Sequence, residues 1–203
     1  MKKNILFYSF RFSRFFIVSL IVFFVSLSRV LPHLPNYSPL IAMTLLGSCF
    51  FQKKWQAFTL PILSTWISDL ILNNIVYTQY FPEFTWFYKG FYFQYGTYFL
   101  VAFLGHLFLK RLTVYRVVGV TFFSSLLFFL ISNFGVWMNS SFYPQTWMGL
   151  YACYVAGIPF FKNAIFGDMV YTFSLLYGVL FLEKQPYFSS LFSTQVKQKN
   201  LKI

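Results

Sequence analysis

The chain alternates long apolar runs with short segments that contain proline, glycine or charged residues. The runs at 15–28 and 115–137 contain no acid and approach or exceed the roughly 20 residues that a helix needs to cross a bilayer core of about 30 Å. Runs of this kind, bounded by breaker residues, predict membrane-spanning helices. We predict six spans near 15–31, 36–52, 55–76, 91–109, 115–137 and 160–182, with 147–158 as a shorter apolar segment.

Composition agrees with a chain that lies in a membrane. Of the 203 residues, 58% are hydrophobic and 25% are aromatic. Only 10% are charged, whereas a soluble domain has roughly one quarter. We therefore predict an all-α integral membrane protein with a basic cytoplasmic N-terminus (1–14), a single transmembrane domain (15–183) and a basic cytoplasmic tail (184–203).

The basic residues favour one orientation of these spans. With both termini in the cytoplasm, 13 of the 16 lysines and arginines lie inside and 3 lie outside, whereas seven spans would give 10 and 6. The excess of positive charge expected in cytoplasmic loops therefore favours six spans. In that topology 147–158 is a short helix or re-entrant segment on the outer side, ending at a break at 157–163. The bases do not gather on one face, so the net charge of +12 does not indicate nucleic-acid binding.

Two of the four acids, Asp69 and Asp168, fall inside predicted spans. An ionisable group at that depth is costly unless it is paired or hydrated, so each marks a candidate functional site. Counting helical rise places both about 10 to 12 Å below the outer boundary, on a common level. Either they line an outward-facing pocket for a polar or cationic solute, or they hold the bundle together through Arg29, Lys162 or buried amides.

Other polar and aromatic residues cluster at or above that level. A helical wheel of the last span puts one set on a single arc that should face protein or water: Asn163, Gly167, Asp168, Tyr171, Ser174 and Gly178. Trp147 fits either an interfacial anchor or the wall of a cavity. The residues predicted to contact a ligand are Asp69, Asp168, Asn36, Asn133, Asn163, Tyr171 and Trp147.

Motifs for catalysis or metal binding are absent from the sequence. It contains no HExxH, GxSxG or phosphate-binding glycine loop. His33 has no second ligand at a fixed spacing. Cys153 lies on a stripe with Gly149 and Gly157 and is expected to be a small packing residue. We therefore predict a protein that is not an enzyme and has no cofactor and no metal site.

Several stretches resemble an uncharacterised family of bacterial membrane transport proteins, itself similar to the substrate-binding S components of energy-coupling factor (ECF) transporters. They are RVLPHLPNYSPLIAMTLLG, SDLIL, SNFGVW, YPQTWMGLYACYVAGIPFFKN and GDMVYT, within Arg29 to Leu182. The resemblance implies an S-component-like bundle of six helices in the bacterial inner membrane, with a vitamin-like solute bound near the outer face.

The resemblance also assigns a role to the proline-rich segment after the first span. On this interpretation the segment covers the solute as a gate formed by Arg29, Pro32, Pro35, Tyr37 and Pro39, and Arg29 pairs with Asp69 or Asp168. The partners implied are the lipid bilayer, a small solute and an energy-coupling transporter module. The first span offers only serines at 19, 26 and 28 for docking such a module, so a solitary importer is one alternative. A membrane scaffold without a solute is the other.

Overall fold

The computed structural model of the protein describes residues 14–51 and 53–185. The predicted basic N-terminus up to residue 13 and the tail from residue 186 lie outside the described residues. The described chain is all-helical, as predicted. Its six helices are α1 Arg14–Leu27, α2 Leu40–Phe50, α3 Lys54–Ile71, α4 Phe91–Phe108, α5 Val114–Asn139 and α6 Trp147–Lys184. A 3₁₀ turn, Ser28–Val30, follows α1, and a π-helical turn, Leu72–Val76, follows α3.

Consecutive helices run in opposite directions, so the loops gather at two ends of the bundle. We call the end with the loops 31–39, 77–90 and 140–146 the upper end. The opposite, lower end carries the loops 51–53 and 109–113. The predicted spans at 55–76, 91–109 and 115–137 are helical in the structure.

The short helix α2 forms the centre of the bundle. Ten of its eleven residues are buried, and α1, α3, α4, α5 and α6 surround it. At 1.5 Å per residue it is about 16 Å long, so the predicted span at 36–52 is too long. Pro35 and Pro39 keep the preceding segment out of a helix. The apolar character of α2 reflects enclosure by protein on all sides rather than a full crossing.

Because α2 is short, its N-terminus lies inside the bundle. Ser48 of α2 lies against Gly105 of α4, and both helices run from the upper to the lower end. Counting back along this pair puts Leu40 about two turns below the start of α4. The 31–39 loop therefore crosses the upper end of the bundle above α2.

The last helix differs from the prediction of a short outer helix followed by a break. α6 is one continuous helix of 38 residues, so the predicted short outer helix at 147–158 and the break at 157–163 are wrong. Pro159 lies inside the helix, where it removes one backbone hydrogen bond without ending the helix. Packing on α5 supports this part of α6, since Cys153 and Gly157 are buried beside Asn133. The predicted close-packing stripe is correct in part, because Cys153 and Gly157 pack on α5 whereas Gly149 packs on Pro144 of the 140–146 loop.

The predicted polar arc of α6 is correct only in part. Gly167 and Asp168 are buried. One to three turns further on, however, Ser174 is exposed and Gly178 borders open space, while Leu176 is fully buried. Leu176 belongs to the main apolar cluster, which contains residues of α1, α2, α4 and α5. Packing on this cluster, rather than the polarity of α6, sets the buried face there.

Two of the helices, α5 and α6, are long and apolar enough to cross a membrane. Their length and composition indicate membrane association. Other helices also expose large apolar side chains, for example Phe24 of α1 and Phe99 and Phe103 of α4. An exposed apolar surface of this extent marks contact with lipid or with another apolar partner.

Candidate functional site

An ion pair joins three elements near the upper end. The Arg29 Nη1 atom lies 2.7 Å from Asp69 Oδ1 and also donates to Ser68 Oγ at 2.7 Å. The hydroxyl of Tyr95, on α4, donates to Asp69 Oδ2 at 2.7 Å. Both oxygens of this carboxylate therefore have partners. The sequence predicts that Arg29 pairs with Asp69 or Asp168, and in the structure it pairs with Asp69. The contact holds the end of α1 against α3 and α4.

A hydrogen-bonded chain lies beside this ion pair. The Tyr88 hydroxyl donates to Gln94 Oε1 at 2.6 Å, and Gln94 Nε2 donates to the Tyr98 hydroxyl at 2.8 Å. Burial raises the pKa of the Tyr88 phenol, so it stays protonated at neutral pH and can donate. Tyr98 is fully buried and stacks on Phe128 of α5. The chain leads from the loop before α4 into the bundle.

The loop 77–90 is anchored so that Tyr88 reaches this position. Asn74 Oδ1 accepts from the Thr85 backbone N–H at 2.6 Å, and Asn74 Nδ2 donates to the Thr85 carbonyl at 3.0 Å. The indole of Trp66 stacks on that of Trp86 and donates to its carbonyl. These contacts attach the loop to the upper part of α3.

A cavity of about 380 Å³ opens between the start of α4 and the end of α5. This volume suits a small organic molecule, since ligand pockets span about 300 to 1,000 Å³. Amides, hydroxyls and one lysine share its wall with aromatic rings. The lining residues are Tyr88, Lys89, Gly90, Phe93, Gln94, Ser132, Gly135, Val136, Asn139, Ser140 and Phe142. None of the predicted ligand contacts lines this cavity, although Gln94 and Tyr88 connect it with the buried phenol of Tyr98.

Asp168 belongs to a separate polar group, between α5 and α6. Its Oδ2 accepts from Ser125 Oγ at 2.7 Å. Ser125 lies about one turn below Phe128, which stacks on Tyr98, whereas Asp69 binds Tyr95, about one turn above Tyr98. The two carboxylates are therefore about two turns apart in depth, and the predicted common level is wrong. The count failed because it started at residue 160, whereas α6 begins at Trp147.

The 31–39 loop lies against α6. Asn163 Nδ2 donates to the Pro35 carbonyl at 3.2 Å. The Tyr37 ring packs on Gly167, where a Cβ atom would come within 3.0 Å of it, and lies 5.3 Å from the Tyr171 ring. Two predicted ligand residues, Asn163 and Tyr171, thus hold the loop.

The other residues of the predicted gate differ in exposure. Pro32 and Pro35 are exposed, and Pro39 is buried where α2 begins. Asn36, a predicted ligand contact in the same loop, is exposed and has φ of 59°. Asparagine adopts this left-handed conformation more readily than most residues. This residue turns the chain within the loop.

The remaining predicted ligand residues lie higher on α5 and α6. Asn133 Nδ2 donates to the Phe129 carbonyl within α5, and the Asn133 side chain fills the space beside Gly157. Cys153 is buried and its thiol points to the Asn133 carbonyl, so it packs as predicted. Trp147 is 87% exposed at the start of α6. The structure does not bring these residues together with Asp69 or Asp168.

Several polar residues of these groups were not among the sequence candidates. Gln94 and Tyr98 lie four residues apart on α4, and Thr121 and Ser125 lie four apart on α5. Spacing of this kind within an apolar helix is a detectable signal, because it places polar groups on one face. Among the described residues, no group of three histidines, cysteines or acids could hold a metal ion.

A family match covers most of the chain. The model of a family described as a family of unknown function, DUF6580, matches residues 10–191. The chain belongs to DUF6580. No curated protein and no solved structure matches it. The description of DUF6580 gives no activity, so the function has to be argued from the geometry of this chain.

Proposed function

We propose that this DUF6580 protein is the solute-binding subunit of a membrane transport system that takes up a small nutrient or vitamin-like molecule. The observation that carries the proposal is the cavity at the upper end, with Gln94 as both a wall residue and a member of the hydrogen-bonded chain that leads to the buried Tyr98. A protein that only joined other proteins would not need a cavity of ligand size with amide and hydroxyl groups in its wall.

The proposed setting is the bacterial inner membrane, which the six helices enter as a bundle with both termini in the cytoplasm. The charges support this orientation. The lower loops carry Lys53, Lys110 and Arg111, whereas the upper loops carry Lys89 alone among lysines and arginines. Since cytoplasmic loops are enriched in lysine and arginine, the lower end would face the cytoplasm and the cavity would open outward.

The chemistry of the cavity wall defines a class of solute. Lys89 and the amides of Gln94 and Asn139 can donate hydrogen bonds, and the rings of Phe93 and Phe142 offer flat apolar surfaces. Among the described residues, no acid lines the cavity. A small, flat organic molecule that is neutral or carries a negative group would fit this wall better than a cation would.

The 31–39 loop would act as the cover of the binding region. It is bounded at its start by the Arg29–Asp69 ion pair and rests on α6 through Tyr37 and Asn163. The ion pair is largely buried, whereas Asn163 donates to Pro35 at an exposed position. The contacts with α6 are therefore the ones that can part without disrupting the core. An energy-coupling module is the proposed partner for the uptake step.

The test is native mass spectrometry of protein purified gently from its own membranes. Wild type should carry a discrete small-molecule mass. Gln94→Leu should fold and lose that mass, because the wall loses its amide. Gln56→Leu is the matched control, since Gln56 lies at the start of α3 at the lower end, outside the cavity.

Two results would contradict the proposal. One is a wild-type protein that carries only lipid, as a scaffold would. The other is a bound molecule that stays on folded Gln94→Leu as firmly as on Gln56→Leu, which would place its site away from this cavity.

A further inference from the structure

Oxygen-bearing side chains gather where α5 and α6 pack together near the middle of the bundle. Asp168 is 4% exposed and accepts a hydrogen bond from Ser125, which is also buried. Thr121, Ser124 and Thr172 are 0% exposed. A buried carboxylate and four buried hydroxyls thus belong to one stretch of two neighbouring helices.

The antiparallel register brings these groups together. Thr121 lies one turn below Ser125 on α5, and Thr172 lies one turn below Asp168 on α6. Because Ser125 and Asp168 are in direct contact, the two threonines fall opposite each other on the next turn down. The register therefore puts both threonines one turn below the carboxylate, on the faces of α5 and α6 that carry Ser125 and Asp168.

Three of the hydroxyls have no hydrogen-bond partner in the part of the chain that the structure describes: Thr121 Oγ1, Ser124 Oγ and Thr172 Oγ1. Buried polar groups normally have partners, and each exception calls for an explanation. Thr65, a buried threonine on α3, shows the usual arrangement, because its hydroxyl donates to the Pro61 carbonyl. Thr113 and Ser140 are exceptions elsewhere in the described chain. The stretch around Asp168 differs in that three of them occur together with a buried carboxylate.

Asp168 also differs from Asp69 in whether a basic side chain balances its charge. Asp69 is neutralised by Arg29 and accepts from Tyr95. Within residues 14–51 and 53–185, no lysine, arginine or histidine forms an ion pair with Asp168, and its hydrogen-bond donor is Ser125. A carboxylate at this depth is costly unless its charge is balanced.

We propose that Asp168, Ser125, Thr121 and Thr172 form a binding site for a monovalent cation, with Ser124 beside it. Hard cations take oxygen ligands such as carboxylates and neutral oxygens. One carboxylate balances one positive charge, and each hydroxyl oxygen has lone pairs to offer. Sodium is the probe of choice, because it is a small monovalent cation that takes oxygen ligands.

The cation site stands apart from the solute proposal, since it uses none of the cavity residues. It lies about two turns below the Arg29–Asp69 pair and on different helices.

The experiment measures cation binding without any solute. Purified wild-type protein in detergent is titrated with NaCl against a background of choline chloride at constant ionic strength, and its melting temperature and binding of radioactive sodium are followed. We expect a saturable rise in melting temperature and stoichiometric sodium binding. Asp168→Asn should abolish the rise in melting temperature and the binding of sodium. Thr121→Val and Thr172→Val should each lower the apparent affinity for sodium about tenfold or more, as when a metal site loses a supporting group.

Thr65→Val is the matched control, because it makes the same substitution at a buried position on α3 and should leave sodium binding unchanged. If Asp168→Asn does not fold, the two valine variants still decide the outcome. The proposal is overturned if wild type melts at the same temperature in sodium and choline and binds no sodium. It is equally overturned if sodium binding survives in folded Asp168→Asn, or falls as much in Thr65→Val as in Thr172→Val.

Discussion

The Arg29 guanidinium and the Asp69 carboxylate form an ion pair of 2.7 Å that connects the end of α1 with α3. Both side chains are largely buried, with exposed fractions of 12% and 8%. The pair lies directly before the 31–39 loop and beside the phenol of Tyr95. It therefore sets both the position from which the loop starts and the polarity of the upper part of the bundle.

We predict that Arg29→Met and Asp69→Leu each lower the free energy of unfolding by about 3 kcal/mol, since either change leaves an uncompensated charge in a mostly buried position. The double variant should lose clearly less than the sum, because neither charge then remains. Denaturation in detergent measures all three. Lys89→Met, at an exposed lysine, should have little effect. Additive losses in the double variant would show that the ion pair contributes no coupling.

A second prediction concerns the contact between the 31–39 loop and α6. A Cβ atom at Gly167 would lie 3.0 Å from the Tyr37 ring and 3.3 Å from its Cα atom, so Gly167→Leu should push the loop away from the helix. Limited proteolysis within 31–39 should become faster. Gly178→Leu, on the same helix, meets open space and should leave cleavage unchanged. Equal cleavage of the two variants would mean that Tyr37 does not hold the loop.

A third prediction concerns the turn within that loop. Asn36 has φ of 59°, and a left-handed conformation costs most L-residues about 1 to 2 kcal/mol. Asn36→Ala should therefore lower stability by about 1 kcal/mol, whereas Asn36→Gly should stay close to wild type because glycine adopts this conformation freely. Melting temperatures in detergent provide the comparison. Leu34→Ala, at an exposed neighbour, is the control, and a loss there equal to that of Asn36→Ala would contradict the conformational explanation.

The helices could be predicted from the sequence because they lie in apolar runs. The two largest errors, the length of the span at 36–52 and the break at 157–163, arose because a segment's own sequence does not show what packs around it. Hydropathy records that a residue avoids water and does not record what surrounds it. α2 is apolar because other helices enclose it, and the run that contains it looked like a full span. Pro159 resembled a break, but packing of Cys153 and Gly157 on α5 supports the helix near it.

The candidate site was predictable in part for a related reason. Asp69 and Asp168 stood out because acids are rare in apolar helices, and Arg29 was a natural partner. Ser125 and Tyr95, which contact these acids, did not stand out, because serine and tyrosine are common in such helices. Their roles depend on which helices become neighbours, and no local pattern determines that.

The last prediction concerns the proposed placement in the membrane. α6 would be about 57 Å long at 1.5 Å per residue, far more than a bilayer core of about 30 Å, so part of it must lie outside the core. If the upper end faces outward, a cysteine at Phe142, in the 140–146 loop and 86% exposed, should react in intact cells with a membrane-impermeant maleimide. A cysteine at Arg111, exposed in the 109–113 loop, should react only after the cells are opened. Labelling tests use a background with Cys49 and Cys153 replaced by serine and alanine. Reaction of both positions in intact cells, or the reverse pattern, would contradict the proposed orientation.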